Sequence, residues 1–466
     1  MKRFLSYYAF ALCATFTLAA ELPDLGSPTD YLVSAKEQRK LKDETRAHLS
    51  DASLFLPDIL SQYYIQRLGE RLRQASHQPK KGNFDFFIAN SPVINAYAAP
   101  GGYIGVNSGL ILASEDEDEL AGVLAHEIAH VNQGHILRAY AQAKQMQLPM
   151  LLGGIAMVAI GMANPELGSG VLLGGLAGMA QSQATFSREH EQEADRFGMG
   201  ILQRAGFDAK AMIRVFQRFA KQEQYYGVNM PEFLRSHPMN ANRITDIENR
   251  LGQGKQPEIN NPTSNTFALI KARIMVFSEK NPGVARRYFL SVLKKKPQSL
   301  SARYGLALAE LQLSHASKAY ELLSALSKEQ PDNTFITISL AESLQALKRY
   351  QEANQRLHKL ALNYPDDLPI TVIYTESLLD SKEIEAAHKV LSHALIKNAS
   401  NILLLDLMVR TQFAKGEKAR AYWYLAKIYT LLDQPELATA KLKRALREKP
   451  LDFYLESKIK AQLAVK

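Results

Sequence analysis

Cysteine is nearly missing from this chain: of 466 residues only Cys13 is one, and it lies within the first twenty. A chain trimmed near Ala20 would hold no thiol, which excludes a disulfide framework, a thiolate metal site and a cysteine nucleophile. Long apolar runs are short too. A membrane-spanning helix needs about 20 consecutive apolar residues, whereas the N-terminal run Phe4 to Leu18 is interrupted by Ser6, Thr15 and Thr17. A polytopic membrane protein is therefore excluded. Disorder is excluded as well, because 46% hydrophobic and 22% charged residues are an ordinary globular balance. The length admits two or three domains.

The N-terminus instead has the layout of a secretion signal. Lys2 and Arg3 precede the apolar run, and the small residues Ala19 and Ala20 precede the polar Glu21-Leu22-Pro23-Asp24. Residues 1–20 are thus expected to be a signal peptide, with the mature chain exported to the periplasm. Phe10-Ala11-Leu12-Cys13 lacks the small residue that precedes a lipidated cysteine, which argues against a lipoprotein. Removing the signal takes away Lys2 and Arg3 and leaves 54 basic against 47 acidic side chains, a net of +7. Spread over the remaining chain, this excess reads as solubilising surface charge.

Residues 21–80 are polar and helical in flavour. Phe84 to Ile88 has strand character, and Asn95 to Val106 reads as strand, turn, strand, with Pro100-Gly101-Gly102 as the corner. A helix is expected from Ser114, with Ser114 and Glu117 at capping-box spacing and the acids Glu115 to Glu119 in its first turn. Leu120, Val123, Leu124, Ile128 and Val131 then recur at helical spacing and mark its buried face. Residues 147–180 are almost uncharged and rich in Gly, Ala, Leu and Met. Each half is too short to cross a bilayer comfortably, so a Gly-rich hairpin packed on the protein body is expected, with peripheral membrane contact as the alternative.

Residues 252–265 read as a linker of Gly, Gln, Pro, Asn, Ser and Thr without apolar period. Beyond it the chain repeats. Pro297, Pro331 and Pro365 are 34 residues apart, and Ala285, Ala319, Ala353 and Ala387 keep the same step. Leu323, Leu357 and Leu391 do so as well. Small residues where paired helices cross, with a proline closing the second helix, form the tetratricopeptide pattern. Ala426, Ala438, Leu442 and Pro450 reproduce its internal offsets after a longer gap, so the phase slips between residues 391 and 422. Such arrays present a concave surface that binds protein segments.

The chemistry centres on His126-Glu127-Ile128-Ala129-His130. Two histidines four apart share one helical face and suit Zn²⁺, which places Glu127 beside a metal-bound water as general base. Metzincins would need a Gly and a third His at positions held here by Gln133 and Ile136. That class is excluded. His135 is one residue out of phase and reads as a structural or supporting residue. Ser187 to Asp195 is the better source of a third ligand: Glu191 and Asp195 are four apart, so one carboxylate can ligate while the other orients a histidine. Glu189 and Glu193 rival them, and local sequence alone does not choose.

His126-Glu127-x-x-His130 followed by Glu191-x-x-Ala194-Asp195 resembles the zinc peptidases that include HtpX and the CAAX prenyl proteases. Asn95-Ala96-Tyr97-Ala98-x-Pro100-Gly101-Gly102 is similar to that family's edge strand. With the signal and the repeats added, the chain resembles periplasmic members of the family that serve β-barrel assembly. The resemblance implies one Zn²⁺ per chain held by His126, His130 and Glu191, with Glu127 as base and Asp195 as a supporting or proton-donating acid. It implies Asn95, Ala96 and Tyr97 as substrate contacts. Ser236-His237-Pro238 and Arg243 also match the pattern: Arg243 is a further candidate substrate contact, and His237 either fills the fourth zinc position at rest or steadies an oxyanion. The implied partners are outer-membrane β-barrel proteins and the barrel-assembly machinery, reached through the repeats. Nucleic acid is not among them. The implied role is a zinc endopeptidase and chaperone in outer-membrane protein quality control; the alternative is a non-proteolytic repeat scaffold. The multi-spanning helices of HtpX are absent, which argues against prenyl processing.

The expected fold is therefore mainly α: an α+β zincin-type metalloprotease domain with a small β-sheet over residues 21–251, then an α-solenoid of tetratricopeptide repeats over 266–466.

Overall fold

The computed structural model describes residues 33–49, 54–76, 84–145, 188–226, 232–238, 241–252 and 264–464. The expected signal at 1–20, the uncharged stretch at 147–180 and most of the expected linker lie outside these residues. Helix α1 (Ala35–His48) and helix α2 (Ile59–Gln74) lead into a three-stranded sheet of β1 (Asp85–Ala89), β2 (Ala96–Ala99) and β3 (Tyr103–Asn107). The α2 N-cap is Asp58, whose carboxylate accepts from the Ser61 amide at 3.0 Å.

The strand order is β1-β3-β2, with β1 parallel and β2 antiparallel to β3. The strand, turn and strand expected around Pro100 form, and Gly101 and Gly102 turn the corner at φ 93° and 87°. β2 is an edge. The Asn107 amide donates to the Asn95 carbonyl at 3.0 Å, and Tyr97 stands opposite Gly105. Hydrogen-bonded pairs alternate along an antiparallel ladder, so the backbone groups of Ala96 and Ala98 turn outward from β3.

The catalytic-motif helix starts later than expected. A short helix α3 (Ser108–Ala113) follows β3 directly and ends at Ser114, whose hydroxyl bonds back to the Leu110 carbonyl at 3.0 Å. Helix α4 (Glu117–Asn132) begins with Asp116 as its N-cap, accepting from the Glu119 amide at 2.8 Å. Ser114 is thus committed to the preceding turn, and the cap falls to the next acid at the right spacing. Leu120, Val123, Leu124 and Ile128 are fully buried as expected, while Val131 is only partly covered. Helices α5 (His135–Gln145), α6 (Arg188–Arg204), α7 (Lys210–Tyr226), α8 (Glu232–Ser236) and α9 (Ala241–Gly252) complete this half. Arg218 of α7 pairs with Glu115 and Glu119, so these two acids are paired with a cation on a neighbouring helix.

Among the described residues twelve helices follow. They are α10 (Ser264–Ser278), α11 (Pro282–Lys295), α12 (Leu300–Gln312), α13 (Ala316–Glu329), α14 (Thr334–Ala346) and α15 (Tyr350–Asn363). After them come α16 (Leu368–Asp380), α17 (Ile384–Lys397), α18 (Ile402–Ala414), α19 (Lys418–Leu431), α20 (Pro435–Arg447) and α21 (Phe453–Ala464). Ser299, Asn333, Asp367 and Asn401 cap α12, α14, α16 and α18 at the same 34-residue step. Ser314, Lys348, Lys382 and Gly416 take positive φ at that step too, where each inner turn closes. The phase does not slip after Leu391, because buried Ala421 continues the series from Ala387. Helix α19 also packs on α20, with Ala426 and Leu442 in one apolar cluster, which is why the residues from 426 onward read as a second phase.

The two halves share a core. Phe267, Ile270 and Ile274 of α10 are buried with Leu120, Val123 and Leu124 of α4, while Leu269 and Val276 of the same helix face the repeats. Leu60 of α2 lies in turn among Ile338, Leu344 and Ile373 of the repeats. Across this junction Arg273, fully buried, donates to Asp58 at 2.9 Å, to Tyr304 at 2.8 Å and to Ser339 at 3.0 Å. Among the described residues no helix is long and apolar enough to cross a membrane.

Candidate metal centre

Helix α4 brings His126, Glu127 and His130 to the interior, and α6 crosses it closely. Gly198 makes that approach possible: a Cβ there would sit 3.1 Å from the Ala125 carbonyl oxygen and 3.1 Å from the His126 amide. With the two helices in contact, Glu191 and Asp195 of α6 meet the histidines, since both face α4 from one side of their helix. His237 arrives from the end of α8, its amide bonded to the Phe233 carbonyl at 2.9 Å. Pro238 follows it, and Phe233 packs on its ring at 4.9 Å.

Four buried donors converge: His126, His130, Glu191 and His237. Nε2 of His126 lies 3.0 Å from Nε2 of His130 and 3.3 Å from Nδ1 of His237. Glu191 approaches His126 to 3.4 Å, His130 to 3.3 Å and His237 to 3.0 Å. Ligands held at about 2.0–2.1 Å around a tetrahedral ion stand about 3.3–3.4 Å apart. These separations fit such an ion, and three imidazoles with one carboxylate are a donor set that zinc accepts.

The groups around the four are fixed. Asp195 places Oδ1 3.0 Å from Nδ1 of His126, and Arg243 clasps Asp195 through two bonds of 2.7 Å. Arg243 also reaches Glu191 at 2.8 Å and the Pro238 carbonyl at 2.8 Å. Glu127 lies outside the four, its Oε1 3.3 Å from Nε2 of His237. Burial pushes the Glu127 carboxyl above its ordinary value, with His237 and His126 pulling the other way. Burial likewise opposes charge on His126, yet its bonds to Asp195 and Glu191 hold it up to about 9. For His130 burial dominates and pulls the imidazole down to about 3. Burial alone would raise Glu191, but the charge of His237 and bonds to three histidines hold it well below the carboxylate range.

Most of the expected site residues meet here. Of the three rival glutamates, Glu191 joins the histidines, whereas Glu193 bonds His135 at 3.0 Å. Arg243 is 1% exposed with its guanidinium committed to Asp195, Glu191 and Pro238, so it does not present itself to a substrate as expected. Asn95 and Tyr97 are also buried, and Tyr97 packs its ring against Phe87. Ala98, part of the quoted edge-strand motif but not named there as a site residue, is the strand residue whose backbone lies against the Glu127 carboxyl. The aromatic wall of Phe216 and Phe233 around His126 carried no sequence signal.

Residues 60–251 match peptidase family M48. The putative beta-barrel assembly-enhancing protease of Vibrio cholerae is 35% identical over 325 residues, covering 69% of this chain and 66% of that protein. The beta-barrel assembly-enhancing protease of Yersinia pestis is 34% identical over 67% of this chain and 64% of that protein. The protein of that name from Escherichia coli K12 is 32% identical over 68% of this chain and 65% of its own length. The chain thus spans just under two thirds of the length of these relatives. A metallopeptidase domain of this family implies a metal cofactor, and His126, His130, Glu191 and His237 are the described residues able to hold one.

Proposed function

We propose that this protein is a zinc-dependent endopeptidase of the periplasm that degrades misassembled outer-membrane β-barrel proteins and assists productive ones. The observation that carries the reading is the convergence of four zinc-type donors beside Glu127 and next to the outward-facing edge of β2. Zinc bound there would polarise a water molecule and the scissile carbonyl. Glu127 is placed to accept a proton from an attacking water and to pass it to the leaving amine. Along β2 an extended peptide would add as a further strand once Ala96, fully buried, and Ala98, whose backbone lies against Glu127, are uncovered, which would lay its backbone along the motif helix. Asp195 and Arg243 act as positioning residues: they hold His126 in one ring orientation.

His237 governs access. As one of the four donors His237 would keep water from a bound metal, and its Nε2 sits 3.3 Å from the base Glu127. This is a resting state, and His237 must swing out before cleavage. The latch also supports a second reading, in which the closed protein serves as a repeat scaffold or chaperone. Export to the periplasm rests on the signal expected at 1–20 and on the likeness to beta-barrel assembly-enhancing proteases.

Zinc content and casein cleavage of the purified mature protein, run beside Glu127→Gln, test the proposal. Stoichiometric zinc, with cleavage lost in Glu127→Gln, is the expected result. Cleavage indifferent to Glu127 would overturn it. Full cellular complementation by Glu127→Gln would favour the scaffold.

A further inference from the structure

His130 has support of a different kind from His126. Its Nε2 faces the other donors, 3.0 Å from His126 and 3.3 Å from Glu191. A ligating Nε2 uses its lone pair, so the ring hydrogen must sit on Nδ1 and needs an acceptor. The atom there is Nδ1 of His135, at 2.9 Å. His135 can accept at that nitrogen only when its own hydrogen is on Nε2. That second nitrogen lies 3.0 Å from Oε2 of Glu193, which accepts it. Every bond in the chain His130 to His135 to Glu193 therefore runs the same way.

We infer that His135 and Glu193 form a positioning relay that fixes the tautomer and ring orientation of His130 as a metal ligand. The inference rests on the metal-centre reading above. Three further observations support it. His135 is fully buried, so its ring has one environment. His190 stacks on it with centroids 4.3 Å apart and planes 20° apart, which holds the plane of the ring. Arg138 reaches the same Glu193 oxygen at 3.5 Å and anchors the far end.

The geometry explains why an imidazole spacer is needed. Asp195 shares the Glu191 side of α6 and touches His126 directly at 3.0 Å. Glu193 is two residues from Glu191, about 200° round the helix, and cannot reach His130 without a bridge. Gly134 turns the chain at φ 67° after α4, and His135 opens α5 at the place where it meets both groups. The two ligand histidines are thus each backed by a carboxylate, one directly and one through a second ring.

The test is the zinc dissociation constant of the full-length mature protein, measured by competition with a chelator, for wild type, His135→Phe, Glu193→Gln and His130→Ala. Apo-protein unfolding is measured on the same samples. Glu193 lies partly exposed at the rim, so Glu193→Gln keeps the question open if His135→Phe folds poorly. His130→Ala should lose stoichiometric zinc, and the two relay variants should each bind zinc about tenfold or more weakly. Zinc affinity within threefold of wild type in both, whatever happens to apo stability, would assign them a structural role and overturn the relay alone. Wild type without zinc, or His130→Ala binding as tightly as wild type, would remove the metal-centre reading and the relay with it.

Discussion

Arg243 grips Asp195 with two parallel hydrogen bonds, Nε to Oδ2 and Nη2 to Oδ1, each 2.7 Å long. Asp195 in turn touches the back of His126 at 3.0 Å, so an arginine 48 residues away in sequence sets the angle of a candidate ligand. Its fork geometry matches a carboxylate in a way lysine cannot.

Arg243→Met should therefore leave Asp195 and Glu191 as buried charges without their cation. Removing one partner of a buried pair costs about 3–5 kcal/mol, and zinc affinity should fall as His126 loosens. Thermal unfolding together with zinc titration checks both. Unchanged stability would contradict the buried position of this pair.

His237→Ala should raise the cleavage rate, because it opens the fourth corner and frees Glu127 from a contact of 3.3 Å. A casein assay under zinc saturation reads the effect. Lower activity would assign His237 instead to steadying charge in the transition state.

The junction between the halves should depend on pH through Asp58. Burial raises its carboxyl, but the charge and bonds of Arg273 outweigh that and hold it below the ordinary value. A depressed folded value means stability that is present above the unfolded pKa of about 3.9 and lost as pH falls through the folded one. Asp58→Asn should be less stable than wild type at pH 7 by about 3–5 kcal/mol. Denaturation as a function of pH should show that gap narrowing below about pH 4. A gap independent of pH would contradict the ion pair.

Gly198→Val should push α6 off α4, because the added Cβ meets backbone atoms at 3.1 Å that cannot move aside. Overpacking of this kind costs about 1–3 kcal/mol. Glu191 rides on α6, so zinc affinity should fall more than that cost alone implies. Chelator competition compared with apo unfolding distinguishes the two.

Much of the chemistry was legible in the sequence because it depends on short spacings. His126 and His130 share a helical face by periodicity alone, and Glu191 with Asp195 does the same. The Pro-Gly-Gly corner dictates its own turn, and the 34-residue step dictates paired helices whose small residues meet. What spacing cannot give is the partner of a side chain. Glu189, Glu191 and Glu193 are alike as residues, and only the crossing of α6 over α4 at Gly198 turns Glu191 toward the histidines and Glu193 toward His135. Arg243 could as well have been a surface cation until its guanidinium was found buried against two carboxylates. Nor could the sequence announce that α10 belongs to both cores, since a helix apolar on two faces reads simply as the start of the repeats. The sequence by itself determined the elements, the repeat step and the types of ligand. The tertiary structure alone decided which carboxylate faces the centre, that His237 joins the other three donors, and that Arg273 joins the halves, because each depends on distances between segments that no local periodicity encodes.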